Sequence, residues 1–279
     1  LLRAAEHEME IGKRIQAGFL PEKMPDVAGY EIAGHFQAAR VVAGDFYDAF
    51  PVPSIHRVAL VIGDVCDKGV GAALFMTLFR SLIRATLQSR TFVSWAVDRD
   101  PANAATPEDA NFSALAEETL ANTVALTNNY VAMTHGKTSM FASALIALLE
   151  PQTGILSYVN AGHEPVYIAG PHGIRETLPP TGPVLGVFPG VTPNIATATI
   201  EEGETLLAYS DGVPEAVDQA GEQFSDDRLR MILDAWSGSA ADLLDTIMAS
   251  VNTYTQGAAQ HDDITILAVR KLGNTKEQN

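Results

Sequence analysis

Residues 140–162 read MFASALIALLEPQTGILSYVNAG. Two apolar runs flank the turn Pro151-Gln152-Thr153-Gly154, and runs of this length around a short turn form a β-hairpin. The longest wholly apolar stretch, Ala144–Leu149, is strand-sized. Working outward, RVALVIGDV (57–65) is β-branched and reads as a buried strand, and YEIAGHFQAA (30–39) alternates in short stretches. On the other side, PVYIAG, a segment near Ile195–Ile200, ETLLAYSDG and DDITILAVRKL continue the strand content. The Pro179–Pro183 loop reads as a rigid connection and Gly162 as a tight turn.

Helical periodicity appears between these runs. VGAALFMTLFRSLIRATLQS (70–89) has Ala72, Phe75, Leu78, Leu82 and Ile83 at core spacing. Residues 112–130 read as a helix and 226–255 as a helix pair. Residues 1–20 form an amphipathic helix stopped by Pro21 and Pro25. It reads either as an ordinary surface helix or as a linker that receives a signal or pairs with a partner. Residues 91–111 have little period and read as a surface insertion; 273–279 read as a frayed tail. Strands and helix pairs follow no regular βαβ alternation, which predicts an α+β, layered design with antiparallel sheet. The expected organisation is a helix over 1–20, one domain over 21–272 and the tail.

The formal net charge of −16 disfavours nucleic acid and anionic lipid as partners. A 47% apolar and 19% charged composition is globular. The single cysteine, Cys66, excludes a disulfide framework and a multi-thiolate zinc site, and no histidine pair has zinc-ligand spacing. No apolar run approaches the roughly 20 residues of a membrane span. With no signal peptide the default setting is cytoplasmic, and the Leu-Leu start suggests a piece of a longer protein.

The acidity is informative in its placement. Asp45 (AGDFYD), Asp64 (GDVCDKG), Asp211 (YSDG) and the pair Asp262-Asp263 (HDDIT) each stand at a strand end beside glycine or another polar residue. Any one of them taken alone reads as a turn or cap residue. Together they describe an all-oxygen site, a donor set suited to Mg²⁺ or Mn²⁺. A cation would relieve the cost of repeatedly burying carboxylates.

The ordered set Arg40-x₄-Asp45-Phe46-Tyr47-Asp48, Gly63-Asp64-Val65-Cys66-Asp67-Lys68-Gly69, Asn160-Ala161-Gly162-His163, Tyr209-Ser210-Asp211-Gly212 and Asp262-Asp263-Ile264-Thr265 resembles the metal-dependent protein phosphatases. The branch is the bacterial SpoIIE/RsbU type, related to protein phosphatase 2C. The resemblance implies a four-layer αββα fold, an antiparallel β-sandwich flanked by helix pairs, with two Mn²⁺ or Mg²⁺ at one edge. By position it assigns Asp45, Asp64, the Val65 carbonyl, Asp211 and Asp262 as metal ligands, with Asp64 bridging and Asp263 a weaker match. Arg40 would hold substrate phosphate, its alternative being a surface arginine.

The implied reaction is hydrolysis of phosphoserine or phosphothreonine on a partner, a STAS-type anti-sigma-factor antagonist. The alternatives are a binding module with little turnover and a two-metal hydrolase of a small phosphoester. Cys66 stands where this branch often has serine and eukaryotic relatives have a histidine implicated as general acid. Asp67 and Ala43 stand where glycines are common; Asp67 could reach the metals through water or cap the next helix. His163 is an acid or a partner behind the metals on one reading, and a histidine bonded to loop backbone on the other. In this branch the N-terminal helix joins an upstream sensor domain and can mediate a homodimer, so the expectation shifts to a linker that biases the helix over 70–90.

Overall fold

The computed structural model describes residues 2–89 and 112–273. The expected insertion over 91–111 and all of the tail but residue 273 lie outside them. Among the described residues ten strands form two five-stranded antiparallel sheets. The first has the order β1 (Tyr30–Gln37), β10 (Ile264–Lys271), β9 (Thr205–Tyr209), β6 (Val166–Gly170), β7 (Gly173–Leu178). The second runs β2 (Phe46–Val52), β3 (Arg57–Val65), β4 (Ala142–Leu149), β5 (Ile155–Ala161), β8 (Ala196–Thr199). The hairpin read from residues 140–162 is β4–β5, in register from Ala144↔Ala161 to Leu149↔Leu156.

The two-residue period of the strands decides the layers. On β3, Val58, Leu60 and Ile62 face the other sheet, where they meet Leu206, Ala208, Leu267 and Val269. The intervening Ala59, Val61 and Val65 face helices α2 (Val70–Leu87) and α3 (Phe112–His135) through Met76, Phe79, Ile83, Leu120 and Val124. The outer face of the first sheet, with Leu207, Tyr209, Ile266 and Ala268, packs on α4 (Asp226–Asp234) and α5 (Ala240–Thr255). The result is the αββα sandwich that the resemblance implied. Both sheets are covered on both faces, so their inner strands read as nearly continuous apolar runs although they are antiparallel.

Helix α1 (Leu2–Ala17) lies ahead of this sandwich. Among the described residues α2 alone is long and apolar enough to cross a membrane by length and mean hydropathy, although Thr77, Arg80, Ser81 and Arg84 interrupt its apolar run. Its hydropathy has another use. Ala72, Met76, Phe79 and Ile83 are in the core, and Arg80 and Arg84 both pair with the buried Asp48 on β2, at 2.8 Å each.

Candidate metal centre

Two strand pairs, one from each sheet, end at the same edge. In the second sheet Phe46 pairs with Gly63, which sets Asp45 beside Asp64 just past the ladder. In the first sheet Tyr209 pairs with Ile266, and the Ser210 N–H bonds the Thr265 carbonyl at 2.9 Å. This brings Asp211, Asp262 and Asp263 to the matching end of that sheet. Besides burial, the Asp64 charge raises the Asp45 carboxyl, and Asp64 is itself raised by Asp211, Asp262 and Asp263. Four distant segments therefore end at the same edge of the sandwich.

Two glycines make the convergence sterically feasible. A side chain at Gly44 would meet the Val65 carbonyl oxygen at 2.8 Å, with Asp64 Oδ1 3.5 Å away. At Gly212 a Cβ would overlap the Asp263 carbonyl oxygen. Only a residue without Cβ permits such approaches.

Burial, then repulsion by Asp64, pushes the Asp45 carboxyl well above the usual carboxylate range. Asp45 is 1% exposed and its Oδ2 has no hydrogen-bond partner. Asp64 is pushed up to about 7 by burial and then by Asp211. Asp211 rises to about 6 through burial, then Asp262 and Glu215, with Lys68 acting against the shift. An orphaned buried carboxylate oxygen among like charges requires a proton or a cation. An all-oxygen donor set lined by Gly44 and the Val65 carbonyl fits a hard divalent cation.

The side chains are not all turned to one point. Among the described residues, no group of three or more His, Cys, Asp or Glu side chains is arranged to hold a metal ion. Asp262 Oδ2 is paired with Lys68 Nζ at 2.6 Å, which also bonds the His261 carbonyl at 2.8 Å. Lys68 received no role from the sequence, although a cation four residues after Asp64 in GDVCDKG was a usable signal. Asp263 accepts the Ala39 N–H on Oδ1 and the Gly44 N–H on Oδ2, both at 2.8 Å. It holds the loop between β1 and β2, a use of both oxygens distinct from the ligand role its position suggested.

Arg40 lies in that loop, exposed, with no ion pair or hydrogen bond of its side chain among the described residues. Asp67 has φ +72°, which explains why glycine suits this position. It does not cap α2: its Oδ1 accepts the Lys68 N–H, and the N-cap is Gly69 without a side-chain bond. His163 is 3% exposed, and burial lowers it to about 4, so it is neutral near pH 7. Its Nδ1 meets Ser143 Oγ at 2.8 Å, and Ser143 pairs with Asp64 across β3–β4. His163 thus lies behind the Asp64 strand, with its own N–H held by Asn160 Oδ1. Gly162, at φ +67°, makes the tight turn. Burial raises the Cys66 thiol, whose Sγ accepts the Phe141 N–H at 3.2 Å, so it is not poised as a thiolate nucleophile.

A ten-strand αββα sandwich with carboxylates gathered at one edge from both sheets is the architecture of the PP2C-type phosphatases. The SiaA PP2C domain of Pseudomonas aeruginosa superposes with TM-score 0.71 at 19% identity, over 96% of this chain and 98% of that one. RsbX solved with magnesium gives 0.57 at 13% identity, over 88% and 98%. Residues 54–272 match the family described as Stage II sporulation protein E (SpoIIE). The chain belongs to that family. It is 42% identical to protein IcfG of Synechocystis sp. over 262 residues, 94% of this chain and 41% of IcfG. It is 25% identical to phosphoserine phosphatase RsbU of Bacillus subtilis over 267 residues, 95% of this chain and 70% of RsbU. The chain thus spans about two fifths of IcfG.

Proposed function

We propose that this chain is a metal-dependent protein serine/threonine phosphatase that acts on a phosphorylated partner protein of STAS type. The observation that carries this reading is the orphaned, buried Oδ2 of Asp45 beside Asp64, where the two sheets meet. Family membership and the phosphoserine phosphatase RsbU support the activity, and RsbX with magnesium supports a divalent cation.

Asp45, Asp64, Asp211, Asp262 and the Val65 carbonyl would hold two Mn²⁺ or Mg²⁺. Bound there, the cations supply the Lewis acidity that makes water a nucleophile near neutral pH and offsets phosphoryl charge. Arg40, free in solvent on the Asp45 loop, would bind phosphoryl oxygens through its planar fork. Asp262 would exchange Lys68 for a cation. Asp263 would keep the loop in register from behind, and neutral His163 would steady the Asp64 strand through Ser143. Helix α1, which exposes Ile11 and Ile15, would serve as a linker to a preceding domain and as a dimer contact.

The test is hydrolysis of an aryl phosphate with Mn²⁺ by the unaltered chain, Asp64→Asn and Asp211→Asn. A Mn²⁺-dependent rate reduced at least about 100-fold in both variants is expected, because each removes a charge that a bound cation needs. A folded chain with no Mn²⁺-dependent rate would rule the enzyme out in favour of a binding module. A phosphorylated STAS protein hydrolysed no faster than the aryl ester would favour a small phosphoester as substrate.

A further inference from the structure

The loop over residues 38–45 carries both Arg40 and Asp45, and two buried polar side chains from opposite ends of the chain hold it. Asp263 is one. The other is Gln16, in the last turn of α1. Its Nε2 donates to the Ala43 carbonyl at 2.6 Å, and the Ala43 N–H donates to its Oε1 at 2.9 Å. This closed pair occupies both backbone groups of a residue that belongs to no strand.

Gln16 departs from the usual sorting of an amphipathic helix. It is 7% exposed, whereas its neighbour Ile15 is 60% exposed. An amide is stable in such a place only if its partners replace the hydrogen bonds it had with water. Here they do, and they are the backbone two residues before Asp45. One turn earlier, Gly12 lies over Val42, close enough that a Cβ would be 3.8 Å from Cγ1. Beside this contact the packing of α1 on α2 is open, a groove of about 440 Å³ with Met9, Ile15, Val70 and Leu74 among its lining. The directional link from α1 therefore runs to the Asp45 loop, not to α2.

We infer that Gln16 is a positioning residue for the metal centre, fixing the Ala43–Asp45 backbone so that Asp45 faces Asp64 and passing displacements of α1 to that carboxylate. This rests on the metal reading proposed above. An apolar side chain of similar length would leave the Ala43 N–H and carbonyl without partners, and the loop would move to recover them from water. Groups behind metal ligands commonly set affinity by 10–100-fold.

The experiment compares the unaltered full chain with Gln16→Met, Gln16→Glu and, on the same helix, Ile15→Ala. Three quantities are measured: amide hydrogen exchange over residues 39–45 without metal, Mn²⁺ affinity by calorimetry, and the melting temperature. Gln16→Met is expected to speed exchange at Ala43 and Gly44 and to weaken Mn²⁺ binding by about 10- to 100-fold. Gln16→Glu keeps the acceptor for the Ala43 N–H but loses the donor, so it should fall between. Ile15→Ala should leave exchange and affinity unchanged. A merely structural role would lower the melting temperature without altering Mn²⁺ affinity in the folded protein. Unchanged affinity in folded Gln16→Met, with normal binding by the unaltered chain, overturns this inference alone. An unaltered chain that binds no Mn²⁺ overturns the metal reading, and this inference with it.

Discussion

Asp64 and Asp211 hold their protons more tightly in the folded chain than they would unfolded, at about 7 and about 6. Such carboxyls favour folding at low pH. Their contribution is complete below about pH 4, the ordinary aspartate range, and is lost as pH rises through 6 to 7. In chelator, the melting temperature of the chain is therefore expected to fall across that window. With saturating Mn²⁺ the carboxylates are stabilised as anions and the fall should vanish. Melts from pH 4.5 to 7.5 with EDTA and with Mn²⁺ check both. Asp64→Asn should flatten the metal-free curve, because an amide removes the titrating group. Asp45 contributes in the same direction: burial and the Asp64 charge raise it, and the Thr265 and Ser210 hydroxyls act against the shift. The sequence placed these aspartates at strand ends. The resemblance ranked Asp263 below Asp262 as a ligand, but only the fold shows why they differ: adjacent residues on a strand entry point opposite ways, and Asp263 turns to the loop backbone.

Helix α2 is attached to the sandwich through Asp48, which is 1% exposed and receives both Arg80 and Arg84. Arg84 also lies over the Phe50 ring, 4.3 Å from its centroid. The two arginines share one carboxylate, so removal of the anion leaves Arg80, whose side chain is 11% exposed, without compensation. Asp48→Asn is expected to destabilise the chain by about 3–5 kcal/mol in urea titration. Arg84→Ala should cost roughly 1 kcal/mol, since that side chain is 35% exposed and Asp48 keeps Arg80. The periodicity of residues 70–89 predicted this helix, and the observed core face, Ala72, Met76, Phe79 and Ile83, overlaps the expected one only in Ala72 and Ile83. Phe75, Leu78 and Leu82 are partly buried at its margin. A stripe read at 3.6-residue spacing leaves its rotation about the axis uncertain by a residue, and here the Asp48 ion pairs fix that rotation.

At the scale of the molecule, the metal centre lies where two sheets end together, so cation binding is coupled to the whole sandwich. A ligand that binds only the folded chain adds RT ln(1 + [L]/Kd) to its stability, about 2.7 kcal/mol at one hundred times Kd. Melting temperature is thus expected to climb with the logarithm of Mn²⁺ concentration, and to stop doing so in Asp64→Asn. Differential scanning calorimetry over a Mn²⁺ series checks this. The sequence by itself determined the helices, most of the strands and the α+β class, because periods of two and of 3.6 residues are local properties of the chain; it did not mark β2 or β7. It also determined which carboxylates stand at strand ends, and the motif order that implied the αββα fold. Only the tertiary structure decided that β1 and β10, more than two hundred residues apart, pair along their length. It alone joined Gln16 to Ala43, Lys68 to Asp262 and Asp263 to Gly44. The bonds of Gln16 and Asp263 depend on which distant backbone groups lack a strand partner, and that of Lys68 on which strand ends the fold brings together; both are set by how the two sheets close on each other, not by any local pattern.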